Sequence, residues 1–434
     1  MPDPFRRPPP PPYRWVVLVF VSLAMFGNYY VYDCIEPIAD LLSKQLGFSD
    51  SNIGLLQAIY SFPNLIMVLI GGYLVDRLGV RKAIFLFGTT CLIGATVTVL
   101  SGHLIPMSTG RLIFGIGAES LVVAVTTAIA KWFRGKELSF AFGINLMIGR
   151  AGTLLAQRSP TWTKFNMMPE WFKLAYNSWR TPLLISVGIA TFCVFGALIY
   201  WIMEAYAERN FELAETGPTD KVVFRDLFHF GVSFWYIVAL CVVFYSAIFP
   251  FETFAYKFFM DAHGTSREMA GTIIGYLTLA TMFGTPLLGL VVDKIGKRAL
   301  LMMIGSVLLV PVYMMMAYTH TQASLYLPMA MMGVAFSLVP AVIWPSVAYI
   351  VDQNKLGTAY GLMTVVQNMG FFGFNLAIGW ANDHGHASDA NPAGYHMGMW
   401  IFSILGLLGM IFAFLLRQRE MGPHGHGLET ITAG

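Results

Sequence analysis

Charge is scarce in this 434-residue chain: Asp, Glu, Lys and Arg together make up 12% of it, against 56% hydrophobic residues. Mean hydropathy is +0.63. With so little charge and with repeated apolar runs of about 18 or more residues, the chain does not read as a soluble globular protein but as a polytopic helical membrane protein. Cysteine is sparse too. Cys34, Cys91, Cys193 and Cys241 each lie in an apolar run and none forms a C-x-x-C pair, so neither a disulfide framework nor a thiolate metal site is indicated. A Walker-type G-x-x-x-x-G-K-[ST] loop, a dinucleotide fingerprint and an N-x-[ST] sequon are all missing. No cofactor, no metal and no nucleic-acid partner is expected. No small-residue cleavage motif follows the apolar run from Trp15, so the head MPDPFRRPPPPPYR is expected to stay as a Pro-rich tail, not to leave as a signal peptide.

What is present is a regular series of apolar stretches. Twelve spans are expected, near 15–42, 49–76, 81–102, 105–132, 137–159, 181–206, 232–260, 266–292, 298–318, 322–350, 356–382 and 394–417. The positive-inside rule supports the count. With the N-terminus inside, eighteen Lys and Arg fall on inner segments and seven on outer ones, and Arg111 and Arg150, left in the membrane, complete the 27. Both termini are then cytoplasmic. The expected division is a tail at 1–13, a six-helix half at 14–207, a charged linker at 208–230, a second six-helix half at 231–418 and a tail at 419–434. His424 and His426 in the Gly-rich second tail are read as disordered polar residues, not metal ligands. The polar, aromatic segment 158–180 is expected on the outer membrane surface.

An internal repeat organises the two halves. Gly72-Tyr-Leu-Val-Asp76-Arg77-Leu-Gly79-Val-Arg81-Lys82 returns as Gly289-Leu-Val-Val-Asp293-Lys294-Ile-Gly296-Lys297-Arg298, an offset of 217 (293 less 76), and LSFAFG from Leu138 echoes LGTAYG from Leu356. Two similar halves facing each other across a cavity follow from such a repeat. Asp76, Arg77, Arg81, Asp293 and Lys294 are expected to form gating contacts on the inner side. A carboxylate there gains about 0.3–1 kcal/mol at a helix N-terminus when exposed.

These loops resemble the signature of the major facilitator superfamily. The resemblance implies a secondary transporter with an alternating-access mechanism and no ATP site. A closer likeness rests on Tyr32-Asp33, Tyr60-Ser61-Phe62-Pro63-Asn64, Gly115-Ile-Gly-Ala-Glu119-Ser120-Leu121, Trp132-Phe133-Arg134-Gly135-Lys136-Glu137-Leu138, Ile248-Phe249-Pro250-Phe251, Trp344-Pro345, Leu356-Gly-Thr-Ala-Tyr360-Gly361 and Gln367-Asn368. Together these are similar to the major facilitator superfamily domain-containing protein 1 family, whose animal members are lysosomal dipeptide uniporters working with a glycosylated accessory membrane protein. By that resemblance Glu119 receives a peptide ammonium and Arg150 its carboxylate.

The residues themselves lead to a compatible expectation. Glu119 lies about 15 residues before the loop at Lys131–Lys136 and Arg150 about 14 after it, so both sit roughly 20 Å deep at 1.5 Å per residue. Ionised side chains at that depth are costly unless they face water or a partner, and they read as functional. At the half-to-half offset Glu119 corresponds to Phe336 and Arg150 to Asn368, so these charges belong to one half only. An acid, a base and an uncharged aromatic and amide wall suit a small zwitterion. Asn28, Tyr29, Tyr30, Tyr60, Asn64, Tyr245, Trp344, Gln367, Asn368 and Asn375 are the further candidate lining residues. Asp33, Glu36, Arg111 and Glu252 are candidates for proton coupling, with structural support or helix-end solvation as their other readings. Glu119 and Arg150 have another reading too, a permanent ion pair between spans 4 and 5.

The expected activity is transport of dipeptides or other small zwitterionic peptides, as uniport or with a proton. A transporter of another carboxylate-bearing solute and a non-transporting receptor or scaffold remain the rival readings. An intramembrane hydrolase is disfavoured, since no His/Asp metal cluster or Ser/Lys pair shares one depth. The expected partners are the solute, the lipid bilayer and, by resemblance, an accessory membrane protein; the chain is otherwise expected to be a monomer. Without a sequon or an acidic dileucine sorting signal, a bacterial inner membrane is the simpler location, with a lysosomal membrane as the other.

Overall fold

A computed structural model describes residues 10–133, 137–164, 169–211, 230–352, 355–423 and 425–430. Fourteen α-helices lie in this part of the chain: α1 (Pro11–Asp33), α2 (Ala39–Leu46), α3 (Asp50–Leu78), α4 (Val80–Leu100), α5 (Leu104–Phe133), α6 (Leu138–Gln157), α7 (Glu170–Ala175), α8 (Arg180–Asn210), α9 (Val232–His263), α10 (Arg267–Ile295), α11 (Arg298–Tyr318), α12 (Tyr326–Ile350), α13 (Leu356–His384) and α14 (His396–Glu420). Twelve of them, all but α2 and α7, have 20 residues or more, enough for about 30 Å of hydrocarbon. Ten spans among the described residues are long and apolar enough to cross a membrane, or eleven if the bent α3 is taken as one. The twentieth-residue limit is met by α6, the helix that carries Arg150.

Helix ends follow from local chemistry. Pro11 sits in the first turn of α1, where a missing N–H does no harm. Ser266 caps α10 by accepting the Met269 amide at 3.2 Å. The first expected span is interrupted: α1 ends at Asp33, and a 3-10 turn at Glu36–Ile38 leads into α2. Pro37 explains the break: it has no N–H for the Asp33 carbonyl four residues back, and its ring crowds that carbonyl. Proline is otherwise tolerated inside these helices, at Pro63, Pro250, Pro286, Pro311, Pro340 and Pro345.

The repeat is visible in the backbone. Both α3 and α10 have 29 residues, and both their ends are related by the offset of 217 (267 less 50, 295 less 78). Each is followed by a glycine at positive φ, +81° at Gly79 and +67° at Gly296, a conformation a side chain would strain.

The chain forms two compact units. Unit 1 comprises residues 1–35, 62–156 and 174–219; unit 2 comprises 36–61, 157–173 and 220–434. In unit 1, α4 packs on α5 and α8, and α1 on α8 and α5. Tyr13 inserts among Trp132, Tyr206 and Phe211, with its hydroxyl on the Met203 carbonyl at 2.7 Å. Nearby, Lys131 bonds Glu204 at 2.5 Å and Arg14 bonds Glu137 at 2.6 Å.

In unit 2, α9 packs on α13 and α14, α11 on α12 and α14, and α10 on α12. At the end of this unit away from the signature loop, Arg267 grips Asp40 with two hydrogen bonds, at 2.9 and 2.6 Å. Lys257 pairs with Asp50, whose other oxygen accepts from Asn382 at 3.0 Å. Asp383 caps α3 by accepting the Asp50 and Ser51 amides at 2.8 and 2.9 Å.

Most of the expected linker lies outside the described residues, as do Arg134, Lys136 and His424. The expectation of a disordered second tail is corrected. Gly425–Thr430 packs against the rest of unit 2, with Leu428 fully buried and His426 at 2.9 Å from a Glu420 oxygen. An apolar side chain and two carboxylates with nearby donors give this segment partners that its Gly-rich composition hides.

Candidate functional site

The charged group of unit 1 is assembled by a close approach of α6 to α1. A Cβ on Gly152 would stand 2.2 Å from the Phe26 carbonyl oxygen, and one on Gly149 would stand 3.2 Å from the Tyr29 ring. Absence of side chains at these two positions seats Arg150, which lies between them, over Tyr29, with its guanidinium 5.8 Å from the ring centroid. A cation over an aromatic face contributes about 0.5–2 kcal/mol, more as the site loses water. Glu119, at the midpoint of the 30-residue α5, and Asp33, at the end of α1, lie within electrostatic reach of the same Tyr29 hydroxyl. Around the Asp33 carboxyl stand Thr153, Arg150 and Arg111. The group therefore holds two acids and two bases. Glu119 and Arg150 are half-buried, while Asp33 and Arg111 are buried.

Arg111 acts on main chain. Its guanidinium donates to the Val31 and Tyr32 carbonyls at 2.9 and 3.1 Å, and it lies over the Phe114 ring at 5.4 Å. It therefore ties down the last turn of α1, whose final carbonyls lack partners in their own helix, and so fixes where Asp33 sits. Asn28 and Tyr30 are buried in the helix seams. The Asn28 amide donates to the Ala118 carbonyl at 3.5 Å, joining α1 to α5 one residue before Glu119. Asn64 is also buried in this unit.

Unit 2 presents aromatics and amides. The Trp344 indole donates to the Tyr245 hydroxyl at 2.8 Å, and the Tyr360 hydroxyl donates to the Trp344 carbonyl at 3.1 Å. Tyr245 stacks on Phe249 at 6.0 Å, and Phe249 meets Phe336 and Phe371 at 5.6 and 4.9 Å. Gln367 and Asn368 are buried on α13; the Asn368 amide donates to Thr364 of its own helix at 3.0 Å. Asn375 donates to Phe371 and accepts from Thr253, both at 2.9 Å. Tyr60 is buried in this unit and Glu36 lies in the 3-10 turn after α1. Glu252 accepts from Gln157 at 3.5 Å, Gln157 accepts from Thr278 at 2.5 Å, and the Tyr256 hydroxyl donates to the Gln157 carbonyl.

Of the signature residues, Asp76, Arg77 and Lys294 are exposed. Arg81 bonds Glu208 of α8 at 2.6 Å, and Asp293 accepts from Arg298 at 2.9 Å. Sequence reasoning missed the Asp40–Arg267 and Asp50–Lys257 pairs, the Asp383 cap and the role of Thr153. Asp50 and Asp383 are 333 positions apart, and no local pattern signals that pairing.

Among the described residues, twelve helices of 20 residues or more, ten or eleven of them apolar enough to cross a membrane, a repeated signature loop and opposite charges on apolar helices point to a membrane carrier fold. The model of the Major Facilitator Superfamily matches residues 21–375. Among curated proteins, the chain is 32% identical to the lysosomal dipeptide transporter MFSD1 of Danio rerio, over 85% of this chain and 80% of that one. With MFSD1 of Mus musculus it shares 33% identity over 94% and 88%. Among solved structures it resembles a bacterial homolog to the human lysosomal transporter Spinster, in an inward-facing and unoccupied conformation. That likeness has a TM-score of 0.76 at 19% identity, covers 94% of this chain and 98% of that one, and speaks to the fold. The chain belongs to the Major Facilitator Superfamily, in the family of the MFSD1 transporters, and is a transporter, not an enzyme.

Proposed function

We propose that this transporter carries small zwitterionic peptides, with dipeptides as the simplest members of the class. One observation carries the reading: Arg150 is seated over Tyr29 at the α1–α6 seam, in the same electrostatic neighbourhood as Glu119 and Asp33. Its relatives named as lysosomal dipeptide transporters support it. Arg150 receives the peptide carboxylate, for which a guanidinium offers two parallel hydrogen bonds, and Glu119 receives the ammonium. Extended dipeptide termini stand roughly 6–7 Å apart, given 3.8 Å between consecutive Cα atoms, so the two heads need not touch each other. In unit 2, Tyr245, Trp344, Gln367 and Asn368 offer rings and amides, groups suited to varied peptide side chains. Asn28, Tyr30 and Tyr60 support the helices that hold these groups.

Asp76, Arg77, Arg81, Asp293 and Lys294 are gating residues in this reading, and Asp33, Glu36, Arg111 and Glu252 are the residues on which proton coupling would depend. Uniport and proton symport separate in liposomes loaded with a pH dye: symport acidifies the compartment that the peptide enters, and uniport does not. Both termini lie on the cytoplasmic side by the distribution of Lys and Arg. The missing sequons and sorting signal favour a bacterial inner membrane, and the relatives' names a lysosomal one. The chain acts alone in the first setting, and uptake by the purified protein without an accessory subunit checks that.

The test is competition against one radiolabelled dipeptide by other dipeptides, free amino acids and organic anions. Inhibition by dipeptides of diverse side chain, with little by the other classes, supports the reading. Equal inhibition by simple carboxylates favours the rival carboxylate transporter, and no uptake of any of them a receptor or scaffold.

A further inference from the structure

The last described segment of the chain, Gly425–Thr430, is docked on the loop that carries the second signature. Leu428 is fully buried. Its carbonyl accepts the Arg298 amide at 3.0 Å, and the Glu429 carbonyl accepts the Lys297 amide at 3.4 Å. One carboxylate oxygen of Glu429 accepts the Leu300 amide at 3.2 Å. Lys297 is the N-cap of α11, in the left-handed region at φ +41°, and its own side chain caps nothing. The tail therefore supplies what a capping residue supplies elsewhere: acceptors for the unpaired first amides, and a negative charge at the positive end of the helix dipole.

The same segment reaches the end of α14, which in turn holds α9. The second Glu429 oxygen accepts from Arg417 of α14 at 3.3 Å. Glu420, the last residue of α14, accepts from Ser233 in the first turn of α9 at 2.7 Å and from the His426 amide at 2.7 Å, with the His426 ring at 2.9 Å. Six residues thus connect the end of α14 to the α10–α11 loop, and Glu420 carries the contact on to α9. Within that loop Arg298 is itself buried, bonded to Asp293 and placed 4.7 Å over the Tyr349 ring of α12. The first copy of the loop also has a positive-φ glycine but a different tie, Arg81 to Glu208 on α8.

A carrier of this superfamily exists in at least two access states, and a segment bound to a signature loop in one of them shifts their populations by its differential affinity. The attachment here is small, one buried leucine and a few polar bonds, so it is reversible. We propose that Gly425–Thr430 is a latch on the second signature loop. Docked, it holds the loop and the end of α14 as one body; released, it frees the loop, so that tail occupancy sets the balance of access states. The latch does not depend on which solute is carried.

The test uses the purified full chain in two measurements. Hydrogen exchange of the 298–301 amides is compared in wild type, Leu428→Asp and Gly427→Ala, the last because Gly427 has φ +90° and a side chain there strains the docked form. Double electron–electron resonance between labels on Lys82→Cys (α4) and Ile304→Cys (α11) reports the balance of states in the same three backgrounds. Expected are exchange at least ten-fold faster in Leu428→Asp with α5 unchanged, an intermediate effect in Gly427→Ala, and a matching shift in the distance distribution. Unchanged exchange overturns the docking, and faster exchange with an unmoved distribution reduces the tail to a passive staple. Should Leu428→Asp fail to fold, the milder Gly427→Ala decides by the same two readouts.

Discussion

Arg150 and Tyr29 make the most direct residue-level prediction. If the Tyr29 ring face seats the guanidinium, Tyr29→Phe keeps that face and leaves dipeptide affinity within about two-fold, whereas Tyr29→Leu removes it. The loss then expected, about 0.5–2 kcal/mol, is roughly a 2- to 30-fold weaker affinity, read by binding calorimetry. Equal affinity for all three proteins would show that the ring does not position the charge. Arg111 makes a contrasting prediction, because its two hydrogen bonds go to main-chain carbonyls of α1. Arg111→Ala leaves buried acceptors unsatisfied at about 1–3 kcal/mol each, so thermal unfolding of the purified protein shifts down by several degrees. Arg111→Lys recovers part of that loss. These residues also show what the sequence makes legible. Charges in apolar runs stand out, as Glu119, Arg150 and Arg111 do; the partners of Arg111 are carbonyls, which carry no side-chain signature.

At the scale of elements, α6 approaches α1 as closely as backbone permits. Gly152→Ala places a Cβ where the Phe26 carbonyl already stands, at 2.2 Å, so α6 must move away. Overpacking of this kind costs typically about 1–3 kcal/mol, and the displaced helix carries Arg150 with it. The variant is expected to lose both thermal stability and peptide affinity, and wild-type values for both would refute the tight seam. The Asp50–Lys257 pair leads to a further prediction. Asp50 is buried and Lys257 half-buried, with Asn382 on the other Asp50 oxygen, and stranding a buried charge by removing its partner costs more than removing both. Lys257→Met alone therefore lowers the unfolding temperature more than Lys257→Met with Asp50→Asn. The long helices were legible because hydropathy needs no partner to be read. This pair was not, since its members meet only after the helices fold, and neither was the docking of Leu428, a lone apolar residue in a Gly-rich tail.

For the whole molecule, the repeat was the most informative sequence signal. The offset of 217 between the signatures returns as matching ends of α3 and α10 and as two positive-φ glycines. Asymmetry between the copies is where the proposed function lies: Glu119 and Arg150 have Phe336 and Asn368 as their counterparts, and among the described residues the tail holds the second signature loop and not the first. The division into compact units could not be foreseen from the repeat. Residues 36–61 and 157–173 group with the second half, through pairs such as Asp40 with Arg267 whose members lie far apart in sequence. If one acid and one base meet the two ends of a peptide, a cycle between ligand and protein reveals it. Binding of a dipeptide, its N-acetyl derivative and its C-terminal amide is measured on wild type, Glu119→Gln and Arg150→Gln. Wild type should bind each blocked peptide about 10- to 100-fold more weakly, the loss of roughly 1.5–3 kcal/mol in charged hydrogen bonds. Glu119→Gln should no longer distinguish the acetylated peptide, nor Arg150→Gln the amide. If both variants discriminate as wild type does, Glu119 and Arg150 do not hold the substrate.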